Sequence, residues 1–308
     1  MGPDAPRIYQ EGDVKVYPAI FEYLKPAGVA EAIALLGQHG DDAKLLAGGQ
    51  SLVPMMKLRV ARPKYLIDIH RIGDLNYIRE NAGAIHCGAM TRHIQIEESS
   101  LIREQFSMLA EAASEIGDVQ VRNRGTIGGG LAEADPSGDY GAVVLALNAQ
   151  LKCLSPRGAR VIPAAEFFTF AYTTTLASDE ILTEVVFPAV DQSSAGVYLK
   201  LERVAGDFAI ASAAVQLSLD GNGACAQIGI GVTGAHSVPT KGVAVEALLT
   251  GKKVNQELID EAGRLIQEGA EPIEDMRGSA AYKKKALGAM VRRAITEALR
   301  RAEAKRPA

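Results

Sequence analysis

Three observations on this sequence predict an α+β fold. Strand-like and helix-like stretches are grouped rather than strictly alternating, which argues against a doubly wound parallel sheet. Two glycine-rich loops, Gly48-Gly49 and Gly128-Gly129-Gly130, each sit at the edge of a small mixed unit. The last third alternates apolar and polar residues and then turns helical, the pattern of an antiparallel sheet with helices laid on it.

Behind a leader over 1–20, Val29, Ile33 and Leu36 recur at helical spacing and place a helix over Pro26 to Leu36, stopped by Gly37 and Gly40. Lys44 to Ala47 is a short strand running into Gly48-Gly49-Gln50-Ser51. Leu52, Met55, Met56 and Arg59 then resume a helix with Pro54 in its first turn. Tyr65 to Ile69 is a strand, completing a unit over 21–72. Tyr77 to Glu80 and Ile85 to Ala89, joined through Asn81-Ala82-Gly83, form a hairpin, and Leu101 to Ile116 reads as one helix with Phe106, Leu109, Ala113 and Ile116 on a stripe. Ala142 to Leu147 is an apolar helix. Gln150 to Leu154 and Arg160 to Ile162 make a second hairpin, and the strand Glu180 to Phe187 ends a unit over 73–190. Asp191 to Gly196 is the best boundary in the chain. In the third unit, 196–302, Val215, Leu217 and Leu219 alternate into Asp220-Gly221-Asn222-Gly223. Ile228, Ile230 and Val232 alternate out, a half-buried antiparallel pair.

Composition excludes several classes. The 33 Lys plus Arg against 37 Asp plus Glu leave a formal charge of −4, so no basic excess marks a nucleic-acid partner. Cys87, Cys153 and Cys225 are far apart and form no C-x-x-C, which excludes a disulfide framework and any metal or iron–sulfur site built from local thiolates; they read as small buried hydrophobes. The N-terminus lacks the apolar run of a signal peptide and no stretch approaches membrane-spanning length, so a cytoplasmic location is expected. The five histidines show neither H-x-x-x-H spacing nor a neighbouring carboxylate set. Lys283-Lys284-Lys285 and Arg292, Arg293, Arg300 and Arg301 read as a solvated helical face.

The glycines carry the functional signal. Gly229-Ile230-Gly231-Val232-Thr233-Gly234 fits G-x-G-x-x-G, but no helix opens on Gly234 and no return strand follows. It reads as a glycine-rich strand end against a helix, not a dinucleotide site. In the two other loops, consecutive glycines remove the Cβ that would hold a ligand off and let several N–H groups point into one concavity, with Ser51 and Thr126 adding hydroxyls. Either loop alone could be a tight turn; the pair suits a diphosphate lying across two small subdomains.

Lys44-Leu45-Leu46-Ala47-Gly48-Gly49-Gln50-Ser51-Leu52, continuing to Arg59, together with Val121 to Gly130, resembles the FAD-binding medium subunits of the molybdenum hydroxylases, the family of aerobic carbon monoxide dehydrogenase and xanthine dehydrogenase. Lys200 to Arg203 with Gly206-Asp207-Phe208-Ala209, and Asp275 to Ser279, resemble signature stretches of their C-terminal domain. The resemblance implies a two-subdomain FAD-binding fold of the vanillyl-alcohol oxidase or cell-wall reductase type, followed by a C-terminal α+β domain. It implies that Lys44, Leu45, Leu46, Ala47, Gly48, Gly49, Gln50, Ser51 and Leu52, with Thr126, Ile127, Gly128, Gly129 and Gly130, hold the diphosphate and ribityl chain. Thr91, Asp139, Ile181, Leu182 and Lys200 match further flavin-contacting positions, and Tyr198 a tyrosine against the isoalloxazine. Gln50 stands where His is common and Gly130 where Asp, Ser or Asn is common; neither change removes a backbone donor.

From the residues themselves, the Asp139 loop could be a plain turn or meet a ribose hydroxyl. Lys200 could be a solvated strand-edge charge or face the flavin, and Tyr198 could be core. The resemblance implies a flavoprotein that passes electrons from 2Fe-2S clusters through non-covalent FAD to quinone, oxygen or NAD. Its partners would be an iron–sulfur small subunit and a molybdopterin-carrying large subunit, in a dimer of heterotrimers. The alternatives are a stand-alone flavin oxidoreductase of the same fold and a cofactor-free scaffold.

Overall fold

The computed structural model describes residues 17–305; most of the expected leader lies outside them. The first unit comprises β1 (Glu22–Leu24), α1 (Val29–His39), β2 (Ala43–Leu46), α2 (Leu52–Lys57) and β3 (Tyr65–Asp68). Its three strands form a small parallel sheet in the order β1-β3-β2. Ala32, Ile33 and Leu36 turn inward from α1, as their spacing requires. The helix runs through Gly37 and stops at Gly40, whose φ of +52° is a backbone conformation that glycine adopts at little cost.

The second unit begins with the hairpin β4 (Ile78–Asn81) and β5 (Ala84–Gly88) and continues through α3 (His93–Glu98), α4 (Ser100–Gln105), α5 (Ser107–Ser114), α6 (Val119–Arg122), α7 (Ile127–Glu133) and α8 (Asp139–Ala146). It closes with β6 (Gln150–Ser155), β7 (Gly158–Pro163), α9 (Ala164–Phe167), the small pair β8 (Phe168–Phe170) and β9 (Thr173–Thr174), and β10 (Ile181–Phe187). Five strands make an antiparallel sheet in the order β4-β5-β10-β6-β7, so the last strand of the unit is inserted between the two hairpins. The expected single helix over Leu101 to Ile116 is two. Phe106 takes an extended φ of −135° between α4 and α5 and buries its ring against Phe187, with centroids 6.0 Å apart. Burial of that ring outweighs the helical stripe. α3 was not anticipated from the sequence.

The third unit is β11 (Ala195–Leu201), β12 (Ala211–Leu219), β13 (Cys225–Thr233), β14 (Thr240–Lys241), α10 (Val243–Leu249), α11 (Gln256–Glu268) and the 25-residue α12 (Ala280–Ala304). Its sheet is antiparallel, in the order β11-β12-β13-β14. α12 covers one face with Leu287, Val291, Ala294, Ile295 and Ala298, all fully buried. The β12–β13 pair is not half-buried as expected, because α8 of the second unit covers the other face. A Cβ at Gly229 would land on the carbonyl oxygen of Ala146, and one at Gly231 on that of Ala142. The G-x-G-x-x-G segment therefore serves close strand–helix packing. Every residue of α8 is buried.

Hydrophobic clusters form one group per unit, and the three cysteine side chains are buried and unpaired. Burial pushes the thiols of Cys87 and Cys153 up to about 12 and that of Cys225 to about 11, so they stay protonated.

Candidate functional site

The two glycine loops meet. A Cβ on Gly48 would collide with the carbonyl oxygen of Arg124 and lie 2.7 Å from the Cα of Gly125, so the first loop lies directly on the segment leading into the second. A Cβ on Gly129 would come 3.5 Å from Ala47, and one on Gly128 would lie 2.5 Å from that of Ala89. Gly49 has φ +76°, which lets the chain turn from β2 into α2. Gly130 needs to be glycine for neither reason, since its nearest neighbour would be Tyr140 at 3.8 Å.

The loops divide the work unequally. Among the described residues, the amides of Gly48, Gly49, Gln50, Ser51 and Leu52 have no acceptor within the protein, so the first loop presents open donors. In the second loop the expected free donors are absent. Ile127 N–H donates to Thr91 O (3.0 Å), Gly128 N–H to Ala89 O (2.9 Å), Gly129 N–H to the Thr126 hydroxyl (3.1 Å) and Gly130 N–H to Thr126 O (3.0 Å). Thr126 is an N-cap, 3% exposed, and its hydroxyl is committed to the helix it starts. The second loop is thus a rigid wall and the first a donor surface.

A groove of about 420 Å³ opens beside the first loop, lined by Leu46, Ala47, Gly48, Gly49 and Gln50 and by Tyr23, Lys57, Asp68, His70 and Arg124. At its floor the Tyr23 hydroxyl donates to Asp68 Oδ2, and the amide of His70 donates to Asp68 Oδ1 (3.0 Å). His70 Nδ1 lies 2.8 Å from that oxygen. Burial alone would raise the Asp68 carboxyl; the hydrogen bonds from Tyr23 and His70 bring it below the ordinary range. The sequence reading found no carboxylate beside a histidine. Asp68-x-His70, at the end of a strand where i and i+2 share a face, was the available signal. His86 likewise reaches Glu184 at 3.0 Å.

The remaining positions lie behind this surface. Lys44 is exposed on β2, Leu45 is half-buried, and Ser51 and Leu52 are half-buried where α2 starts. The Thr91 side chain is fully buried and donates to Tyr77 O at 2.8 Å, while Ile127, Ile181 and Leu182 are core. Tyr198, 4% exposed, donates its hydroxyl to Asp139 Oδ1 at 2.6 Å. The Lys200 side chain is 1% exposed, so it is no solvated edge charge. Its ammonium donates to Glu115 O (2.6 Å) and Asp207 O (3.0 Å) and pairs with Asp139 (3.2 Å) and Glu202 (3.0 Å). Burial pushes the Asp139 carboxyl up to about 6, against the pull of Lys200 and Tyr198. This cluster ties α8 and α5 of the second unit to β11 of the third. Two further carboxyls, Glu133 beside Ser51 and Asp135 beside Tyr172, are raised chiefly by burial.

Other expectations about charge are revised. Lys283 is 3% exposed and donates to Ile273 O (2.9 Å) while pairing with Asp275 (2.8 Å), so the Asp275 to Ser279 stretch is a turn clamped to the start of α12, not a flank of a solvated face. Among the described residues no cluster of His, Cys, Asp and Glu could hold a metal, and no helix is long and apolar enough to cross a membrane.

The residues fit a diphosphate cofactor: a first glycine loop packed so closely on the second that only glycine fits at position 48, five unengaged amides and two basic side chains on one groove. Comparison with known proteins agrees. The FAD binding domain in molybdopterin dehydrogenase matches residues 19–190, and the CO dehydrogenase flavoprotein C-terminal domain matches 196–298. The carbon monoxide dehydrogenase medium chain of Hydrogenophaga pseudoflava is 43% identical over 91% of this chain and 98% of its own, and the glyceraldehyde dehydrogenase medium chain of Sulfolobus acidocaldarius is 36% identical over 92% and 99%. The solved carbon monoxide dehydrogenase from Hydrogenophaga pseudoflava that lacks the Mo-pyranopterin moiety contains a chain that superposes with a TM-score of 0.91 at 44% identity, covering 92% of this chain and 99% of that one. The chain therefore belongs to the FAD-binding medium subunits of the molybdenum hydroxylases, a family of oxidoreductase flavoproteins.

Proposed function

We propose that this chain relays electrons inside a molybdenum hydroxylase complex, from iron–sulfur clusters on a small partner subunit to an external quinone, oxygen or NAD, while a large molybdenum-binding subunit oxidises the substrate. FAD, when bound, supplies the step between single-electron donors and a two-electron acceptor. The observation that carries this reading is the contact of Gly48 with Arg124 and Gly125, which makes one surface of two distant loops. The open amides from Gly48 to Leu52 bind the diphosphate, and Lys44, Leu45, Leu46 and Ala47 lead into them. Thr126, Ile127, Gly128, Gly129 and Gly130 hold the opposite wall. Thr91, Ile181 and Leu182 support it, and Asp139, Tyr198 and Lys200 fix the third unit against the second. We assign the units to residues 21–72, 73–190 and 196–302, and place the complex in the cytoplasm as a dimer of heterotrimers; the medium-chain relatives support a multi-subunit assembly.

Purification from cells, with mass identification of the co-purifying chains and their metal content, tests the assembly. Anaerobic addition of the complex's substrate should bleach the flavin only while the cluster-bearing chain is present. Flavin reduction of the isolated chain by a small organic donor would refute the relay.

A further inference from the structure

We propose that the groove beside the first glycine loop recognises the adenosine-diphosphate half of FAD through five side chains that flank the glycines themselves: Lys57, Arg124, His70, Asp68 and Tyr23. This rests on the FAD reading above and adds to it the side chains that set cofactor selectivity.

Lys57 and Arg124 are exposed on the groove wall, and among the described residues neither has an acidic partner. They face amides that also lack acceptors. The one acid of the lining, Asp68, is 5% exposed, and three donors from Tyr23 and His70 consume its oxygens. The groove therefore carries two cations at its rim against one carboxylate, whose oxygens are already engaged below. A diphosphate matches that need, and a guanidinium beside a cradle of amides is suited to phosphate oxygens. A volume of about 420 Å³ is that of a small-ligand cleft.

His70 extends the recognition beyond phosphate. Ionised Asp68 can only accept, so the proton sits on His70 Nδ1, which lies 2.7 Å from Asp68 Oδ2. In the neutral ring Nε2 then keeps its lone pair, and among the described residues it has no partner, on a side chain 29% exposed at the groove. It is an acceptor placed for a ribose hydroxyl. Asp68, 5% exposed, acts through it as a positioning residue that fixes its tautomer and ring orientation, and the Tyr23 hydroxyl holds Asp68 in turn.

The test removes flavin from the purified complex and follows rebinding by quenching of flavin fluorescence, with ADP as competitor, at low and high salt. The wild-type complex is expected to bind FAD, to lose it to ADP, and to bind more weakly in salt. Lys57→Ala and Arg124→Ala should each weaken FAD and ADP by about tenfold and flatten the salt dependence. His70→Ala should weaken both by about fivefold and keep the salt dependence of the wild type. All three side chains lie at the surface, and unchanged melting temperatures verify that the variants fold. FAD affinities within twofold of wild type in all three variants, or failure of ADP to compete, overturn the groove assignment and leave the FAD reading standing. A wild-type complex that takes up no FAD overturns that reading itself.

Discussion

Replacing Lys200 by Met removes the cation from a buried charged cluster. The side chain is 1% exposed and has four oxygen partners, two of them the carboxylates of Asp139 and Glu202. Methionine fills a similar volume but leaves both carboxylates facing each other without a counter-ion, and breaking a buried pair from one side costs roughly 3–5 kcal/mol. The effect depends on pH in a defined direction. Asp139 has its folded-state pKa raised to about 6, above its ordinary value of 3.8, chiefly by burial. An acid raised by folding binds its proton more tightly in the native state, so stability increases as pH falls through the folded value. Without Lys200, which pulls the carboxyl down, the rise is larger and the gain on acidification greater. Thermal melting of flavin-stripped protein should show the variant about 10 °C below wild type at pH 8. The gap should narrow markedly at pH 5.5, where Asp139 is neutral. A gap under about 2 °C at pH 8, or one that does not change with pH, would show that the cluster is solvated and the reasoning wrong.

Three further outcomes follow from the packing. Gly48→Ala should drive the glycine loops apart and lower flavin content of the purified protein to under about a tenth, whereas Gly130→Ala, with its nearest neighbour at 3.8 Å, should retain it; flavin absorbance per chain measures both. Gly231→Ala should lower the melting temperature by roughly 3–10 °C, because its methyl meets the Ala142 carbonyl of a helix that cannot retreat. His93, whose ring is 5% exposed and whose pKa burial lowers from 6.5 to about 4, should show no imidazole titration by NMR between pH 8 and 5.5. A folded value below the unfolded one means that His93 withdraws stability as pH falls from 6.5 towards 4.

Local patterns in the chain were sufficient for most elements. The period of Val29, Ile33 and Leu36 placed α1, and the alternation around Val215 and Ile230 placed β12 and β13. Rejection of the third glycine motif as a dinucleotide site also followed from order alone, since a strand end without a following helix cannot build one. What stayed hidden required a partner distant in the chain. Nothing near Phe106 says that Phe187 waits for its ring, and nothing near Val215 says that α8 covers the second face of the sheet. Lys283 read as a surface charge, and Lys200 stayed open between a strand edge and the flavin, because their partners Glu115, Asp139, Ile273 and Asp275 are supplied by folding. The same limit applied to the groove. Tyr23, Lys57, Asp68, His70 and Arg124 are brought together only by folding: Lys57 and Arg124 lay inside the recognised stretches, whereas nothing marked Tyr23, Asp68 or His70.

Helix α8 is wrapped by its own unit on one side and by the sheet of the next on the other, with all eight residues out of solvent. The linker at 191–195 is therefore a seam in the chain but not in the solid body. Expressing the N-terminal portion alone would strip a fully buried, mostly apolar helix of half its cover, and such a fragment should aggregate unless that face is redesigned. Recombination between relatives at this seam would succeed only if the exchanged piece brings glycines at the positions of Gly229 and Gly231, because the swapped sheet must still admit the helix backbone.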